Sequence, residues 1–248
     1  MQLHLGVLII GSLFWDVDGE KKKHRKDWQR ERLDITQRFL VRAPIRYGRK
    51  SSKRDNTFTM VFSQLCRTKS KLGQALVIPF KNQVSSANDL ILEAKRLWSA
   101  EQSTPEEAKA ASDALGASWG CVALLQNPKG QKLPREWRER WKTAVAQDKR
   151  LPYGRLKHAS GEISIVNRGG VLKIRWPKPL TRGNLVPSLD AIIATATNPC
   201  IQNGRYHSPK MIARAWKRAK EEHVQYFWKN REGKIWTFED DAIKTYLT

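Results

Sequence analysis

Cysteine is scarce in this chain: Cys66, Cys121 and Cys200 are the only three in 248 residues. The number is odd and no Cys-x-x-Cys pair occurs, which excludes a disulfide framework and a zinc knuckle. Each thiol reads as a small buried hydrophobe. Histidine is equally thin. His4, His24, His158, His207 and His223 show no His-x-His, His-Glu-x-x-His or His–Cys spacing, so no metal site is expected. There is no P-loop, no Gly-x-Gly-x-x-Gly fingerprint and no Gly-x-Ser-x-Gly elbow. No apolar run approaches the roughly 20 residues that span a bilayer, and the first residues lack a basic leader. The expected protein is soluble, cytoplasmic and without membrane contact.

Acidic residues are also in short supply. Lys and Arg total 46 against 24 Asp and Glu, a formal charge of +22. Between Trp141 and Lys220 the sequence holds 16 Lys and Arg but three acids, Asp148, Glu162 and Asp190. Such a surface favours polyanions: nucleic acid, an acidic protein or anionic lipid. Its densest exposed portions are expected at Lys21, Lys22, Lys23, Arg25 and Lys26, and on a helix bearing Arg214, Lys217 and Arg218. A basic proteome or a solubility adaptation is the plainer alternative. What is plentiful is apolar surface. Hydrophobic residues make up 40% of the chain and ten Trp are spread along it, enough for a sizeable core.

Periodicity gives an α+β chain. Leu3–Leu13 reads as a buried strand, Phe39–Tyr47 and Thr57–Gln64 as two more, and Gly73–Phe80 as a fourth. Ser86 opens a helix with apolar positions at Leu90, Ala94, Leu97 and Trp98. Thr104-Pro105-Glu106-Glu107 opens another, expected to run to Leu115. Trp119–Gln126 reads as a strand, Pro134–Gln147 as a helix, and Glu162–Val166 with Val171–Trp176 as a hairpin. Ala191–Thr197 fits strand or helix. Ser208-Pro209 starts a basic amphipathic helix expected to reach Asn230, and Thr237 caps a last one. We expect a core over 1–180 and a mainly helical extension over 181–248.

Two features carry chemistry. The first strand leaves through Ile9-Ile10-Gly11-Ser12-Leu13, a Gly-Ser turn whose main-chain amides could hold a carboxylate or oxyanion. On the Ser86 helix, Leu90, Ala94, Leu97 and Glu101 follow in steps of four, three and four. Glu101 therefore lies on the apolar stripe near the helix end, where burial would raise its pKa toward that of a general base. The alternative is a solvated helix terminus. Glu93 is expected to face water, Asp190 to join a buried ion pair, and His207 to lie on the surface. A basic loop, Arg46 and Tyr47 through Arg49, Lys50, Ser51, Ser52, Lys53 and Arg54, could reach the same pocket and bind an anion; a solvated hairpin loop is the plainer reading.

These elements resemble the gamma-glutamylcyclotransferase superfamily. Ile10-Gly11-Ser12-Leu13 matches the family's Tyr-Gly-Ser-Leu/Asn loop, with Ile10 in place of Tyr. Gly73–Phe80 stands at the family's second strand. Leu97-Trp98-x-x-Glu101 matches its Leu-Asp-x-x-Glu helix end, with Trp98 in place of Asp. The likeness covers about residues 3 to 130. It implies a small mixed β-barrel or sheet with flanking helices and a metal-free, cofactor-free lyase or acyltransferase. The turn at Ile10, Gly11, Ser12 and Leu13 would hold a small γ-glutamyl substrate, aided by Arg46, Tyr47, Ser52 and Arg54. Glu101 would be the base that drives its cyclisation. The competing expectation is a basic binding protein for nucleic acid or another polyanion.

Overall fold

The computed structural model describes residues 1–147, 163–180 and 188–248. Its centre is a strand with no polar face. β1 (Leu5–Ile9) is buried at every position, as an apolar run covered on both sides must be. It lies inside a mixed six-stranded sheet of order β2-β5-β1-β8-β7-β6, made with β2 (Phe39–Ala43), β5 (Gly73–Pro79), β6 (Gly116–Ala117), β7 (Gly120–Gln126) and β8 (Ala191–Thr197). Among the six strands of this sheet β1 and β8 pair in parallel, Gly6 opposite Ile192; β5 runs antiparallel to β1, and β7 antiparallel to β8. β3 (Ile45–Ser51) and β4 (Thr57–Phe62) form a separate hairpin.

Seven α-helices occur among the described residues: α1 (Lys23–Arg32), α2 (Ala87–Ala100), α3 (Pro105–Ala110), α4 (Arg135–Gln147), α5 (Pro209–Lys217), α6 (Glu221–Glu232) and α7 (Asp240–Leu247). The chain is therefore α+β. α2 starts where Ser86 Oγ accepts the Asp89 N–H at 3.1 Å, and α3 where Thr104 Oγ1 accepts that of Glu107 at 3.3 Å. Both are side-chain caps that satisfy an orphan amide of the first turn. α2 buries Leu90, Ala94, Leu97 and Trp98 and packs on α1, α4, β7 and β8. α5 packs on α7 and β4, with Trp216 inserted against Tyr47 at a centroid distance of 4.9 Å.

Several expectations need correction. The strand expected over Phe39–Tyr47 is two strands, because Pro44 has no N–H with which to continue a ladder. The Thr104 helix stops at Ala110, and Gly116 enters a strand instead. Of the expected hairpin, Glu162 lies outside the described residues; beyond it a single antiparallel bridge, Val166 with Leu172, closes the Asn167–Gly170 turn, while Val171 bridges Leu124 in parallel. The helix expected from Ser208 to Asn230 is interrupted between Lys217 and Glu221.

The largest departure concerns the extension. Residues 181–187 lie outside the described set, but Ala191–Thr197 is a strand, and it sits between β1 and β7 in the middle of the sheet. Six of its seven residues are buried. The segment after residue 180 is thus part of the core, and α5, α6 and α7 follow from it. No helix among the described residues is long and apolar enough to cross a membrane.

Candidate active site around Glu101

Glu101 caps the C-terminus of α2, its N–H donating to the Leu97 carbonyl at 3.1 Å. The residue is half-buried, yet protein surrounds its carboxyl closely enough that burial dominates its chemistry. Burial raises the pKa above the ordinary glutamate value; Arg25, the Thr195 hydroxyl, Arg49 and Lys22 oppose the rise without cancelling it. None of those cations forms a salt bridge with it. Thr195 Oγ1, on β8, lies near enough to favour the charged carboxylate but falls short of hydrogen-bond geometry, and that hydroxyl is buried with no other partner among the described residues. A carboxylate enclosed without a direct partner is costly, so this position is a functional candidate.

Arg25 fixes where Glu101 sits. It is 3% exposed, which corrects its expected place on a polyanion-binding surface. Its Nε donates to the Ala100 carbonyl at 2.9 Å and its Nη2 to the Gln102 carbonyl at 3.3 Å, gripping the main chain on both sides of Glu101. A cation at these carbonyls also complements the negative end of α2. Its Nη1 donates to the Asp16 carbonyl and carboxylate, both at 3.0 Å. Asp16 in turn closes the turn that begins at Ser12, donating its N–H to the Ser12 carbonyl at 2.8 Å. Burial raises the Asp16 pKa, but Arg25, Lys22 and Arg54 outweigh it and the group stays ionised below its usual range. One buried guanidinium therefore ties the end of α2 to the exit of β1.

That exit has unspent donors. Among the described residues, no acceptor is found for the N–H groups of Gly11, Ser12 or Leu13. A β-carbon at Gly11 would lie 2.7 Å from the Tyr226 hydroxyl, so only glycine lets α6 approach this closely. The Tyr226 phenol is buried; burial raises its pKa, Arg54 lowers it, and Glu101 raises it further. Arg54 reaches Ser12 Oγ at 3.4 Å and Asp16 at 2.9 Å, with its guanidinium 5.1 Å from the Tyr226 ring.

Arg49 completes the group. β3 carries a bulge at Gly48: Tyr47 faces Met60 while Arg49 faces Thr59. Without the extra residue Tyr47 and Arg49 would share a face; the bulge sends them to opposite faces. Tyr47 enters the core, fully buried between Trp216 and Phe227. Arg49 instead lies 4.5 Å above the Trp119 ring, which stacks on Trp98 at 4.4 Å. Its guanidinium makes neither a salt bridge nor a hydrogen bond among the described residues.

Of the expected binding residues, Gly11, Ser12 and Arg54 gather here, with Ile10 half-buried beside them and Leu13 packed in the core. Arg46 does not: it pairs with Glu239 at 2.6 Å and lies over Tyr206. Tyr47 has no exposed surface with which to line a hollow, and Ser52 is exposed on the hairpin end. Sequence reasoning missed Tyr226, Thr195 and Trp119, and left Arg49 as one residue of a loop.

Three other expectations change. Glu93 is buried and clamped by Arg32 and Arg96. Asp190 accepts main-chain N–H groups from His4 at 2.9 Å and Gln131 at 2.7 Å and makes no ion pair among the described residues. His207 is buried against Phe58. On the surface, Lys21 and Lys26 are exposed, Lys23 pairs with Asp27 at 2.5 Å, and Lys22 is half-buried beside Asp16 at 3.6 Å. Arg214, Lys217 and Arg218 are exposed on or just beyond α5 and have no acidic partner among the described residues.

A hollow of about 920 Å³ lies elsewhere, between α2 and α4 beside Lys95, Asp113 and Glu139. It is an open groove whose lining charges include the Lys95–Asp113 pair at 3.3 Å, and it gathers no unpaired group of the kind found at Glu101. Chemistry rather than volume therefore selects the site. Among the described residues no three His, Cys, Asp or Glu side chains cluster as a metal site. No family model, no curated protein and no solved structure matches the chain.

Proposed function

We propose that the protein is an enzyme of the gamma-glutamylcyclotransferase type, acting on a γ-glutamyl amine with Glu101 as its general base. What supports the reading above all is one pairing: a half-buried carboxyl without a direct partner, and a main-chain turn with free amides, tied together through Arg25 and Asp16. The Gly11–Leu13 amides hold the γ-glutamyl unit. Glu101 takes a proton from the substrate's α-amine. The amine attacks the γ-carbonyl carbon, forming the ring C–N bond, and the bond to the leaving amine breaks as that nitrogen receives the proton from Glu101. The products are 5-oxoproline and a free amine. Attack is intramolecular, so placing the chain in its folded-back form supplies much of the acceleration. Burial raises the base toward the working pH, as general-base chemistry requires. Tyr226 brings a phenol to the turn from α6, beside a loop whose own position 10 is Ile.

Release of 5-oxoproline from γ-glutamyl amines, followed by chromatography, tests this. Wild type turns over, and the acid limb of its rate profile lies above the ordinary glutamate range. Glu101→Gln loses at least about 100-fold in rate, the usual span of general acid–base catalysis, with an unchanged melting curve. Full activity in that variant would remove Glu101 as the base.

A second reading, a polyanion-binding protein, is favoured by one observation. Lys210, Arg214, Lys217 and Arg218 are exposed on or next to α5 with no acidic partner among the described residues. The two readings use different surfaces.

A further inference from the structure

We infer that Arg49, stacked on Trp119 and re-aimed by the bulge at Gly48, is the receptor for a carboxylate on the ligand. The inference rests on the reading of Glu101 as the base that receives the amine.

Three observations lead here. The first is the bulge. A regular β3 would put Arg49 on the face of Tyr47, inside the core, where a guanidinium has no place; the extra residue delivers it to the opposite face. Bulges recur where a side chain must be turned toward a site. The second is the aromatic stack. Trp98 stands on α2 three residues before Glu101, Trp119 lies on Trp98, and Arg49 lies on Trp119. The stack restricts the long side chain while leaving its N–H fork open, which is the arrangement in which arginine recognises planar anions. The third is the distribution of charge around Glu101. Arg25 is used up on Ala100, Gln102 and Asp16, Arg54 on Asp16 and Ser12, and Lys22 on Asp16. Arg49 is left without a partner among the described residues. It and Glu101 lie within each other's electrostatic reach but form no salt bridge, so a ligand can separate them. One free fork fits one carboxylate through two parallel hydrogen bonds. A phosphate would call on further cations, and Arg25, Arg54 and Lys22 are already engaged.

The test is a binding comparison that needs no turnover. 5-Oxoproline and 5-oxoprolinamide differ only in the carboxylate. Titration calorimetry on wild type is expected to show the acid bound about ten-fold or more tightly than the amide, in keeping with the strength of a charge-assisted pair. Arg49→Gln is expected to bind both equally. Arg49→Lys keeps the charge without the fork and is expected to retain part of the preference. Trp119→Leu, which removes the stack, is expected to weaken the preference with Arg49 still present. Melting curves establish that each variant is folded. Equal binding of acid and amide by wild type, binding of neither, a full preference surviving in Arg49→Gln, or displacement of 5-oxoproline by an equal concentration of inorganic phosphate would each overturn the assignment. If wild type prefers the acid yet releases no 5-oxoproline from any γ-glutamyl amine, the cyclisation reading fails while the carboxylate receptor stands.

Discussion

A methyl group added at Gly11 would meet the Tyr226 hydroxyl at 2.7 Å but the rest of that ring only at 3.8 Å. Gly11→Ala should therefore destabilise the fold by about 1–3 kcal/mol, the usual cost of overpacking, and Tyr226→Phe in the same chain should recover most of it. Urea unfolding of the two single variants and the double variant measures the coupling; a loss that Tyr226→Phe leaves untouched would place the strain elsewhere. At this scale the sequence is partly legible. The four-three-four steps of the α2 stripe locate Glu101. The same spacing carries Glu93, three residues after Leu90 and four before Leu97, and it is buried with Arg32 and Arg96 around it. Arg49 is illegible because a bulge reverses the parity of a strand, and nothing in Tyr47-Gly48-Arg49 announces the reversal beyond the glycine. Tyr226 stands far along the chain from Gly11, at a separation over which periodicity says nothing.

The elements are most legible where a cap marks them, as at Ser86, Thr104 and Ser208, and least legible where an apolar run is short. Ala191–Thr197 fits either period because strand and helix differ too little over seven apolar or small residues. The start of α7 bears a prediction. Glu239 and Asp240 adjoin in sequence and are both buried. Burial raises Glu239 to about 7, against the pull of Arg46, and raises Asp240 to about 6, against its bonds to Thr237. In the unfolded chain both return to ordinary carboxylate values. Between about pH 4 and 7 the folded state thus holds protons that the unfolded state has released, and stability falls as pH rises through that window. Raising a carboxyl pKa by one on folding costs about 1.4 kcal/mol at a pH where the unfolded group is ionised, so the pair weakens the fold at neutral pH on the order of a few kcal/mol relative to pH 4–5. Urea midpoints at pH 5 and 8 should differ more in wild type than in the Glu239→Gln, Asp240→Asn double variant. An equal difference in both proteins would show that other groups set the slope.

Over the whole molecule the formal charge of +22 is divided by the fold into two populations. Arg25, Arg32, Arg46 and Arg54 are tied to acids on the inside or at the boundary. Arg214, Lys217 and Arg218 face solvent without such partners among the described residues. If the second population holds nucleic acid, log affinity for duplex DNA should fall linearly with log salt, with a slope of about −0.9 for each phosphate contact. Replacing Arg214, Lys217 and Arg218 together by Gln should flatten that slope by up to about 2.7 while leaving the turnover proposed for Glu101 unchanged. A slope unmoved by the triple change would assign the contacts to another face. The overall charge is plain in the sequence; its division is not, because pairing depends on which helix end or turn each side chain meets.

The place of β8 also governs how the chain must be made. Until Ala191–Thr197 leaves the ribosome, β1 and β7 face each other across a missing partner, each with an open row of hydrogen-bonding groups of the sort that invites association with neighbouring chains. A nascent polypeptide cut short near residue 180 is thus a split sheet with two sticky margins, and most of the protein must be synthesised before its interior can close.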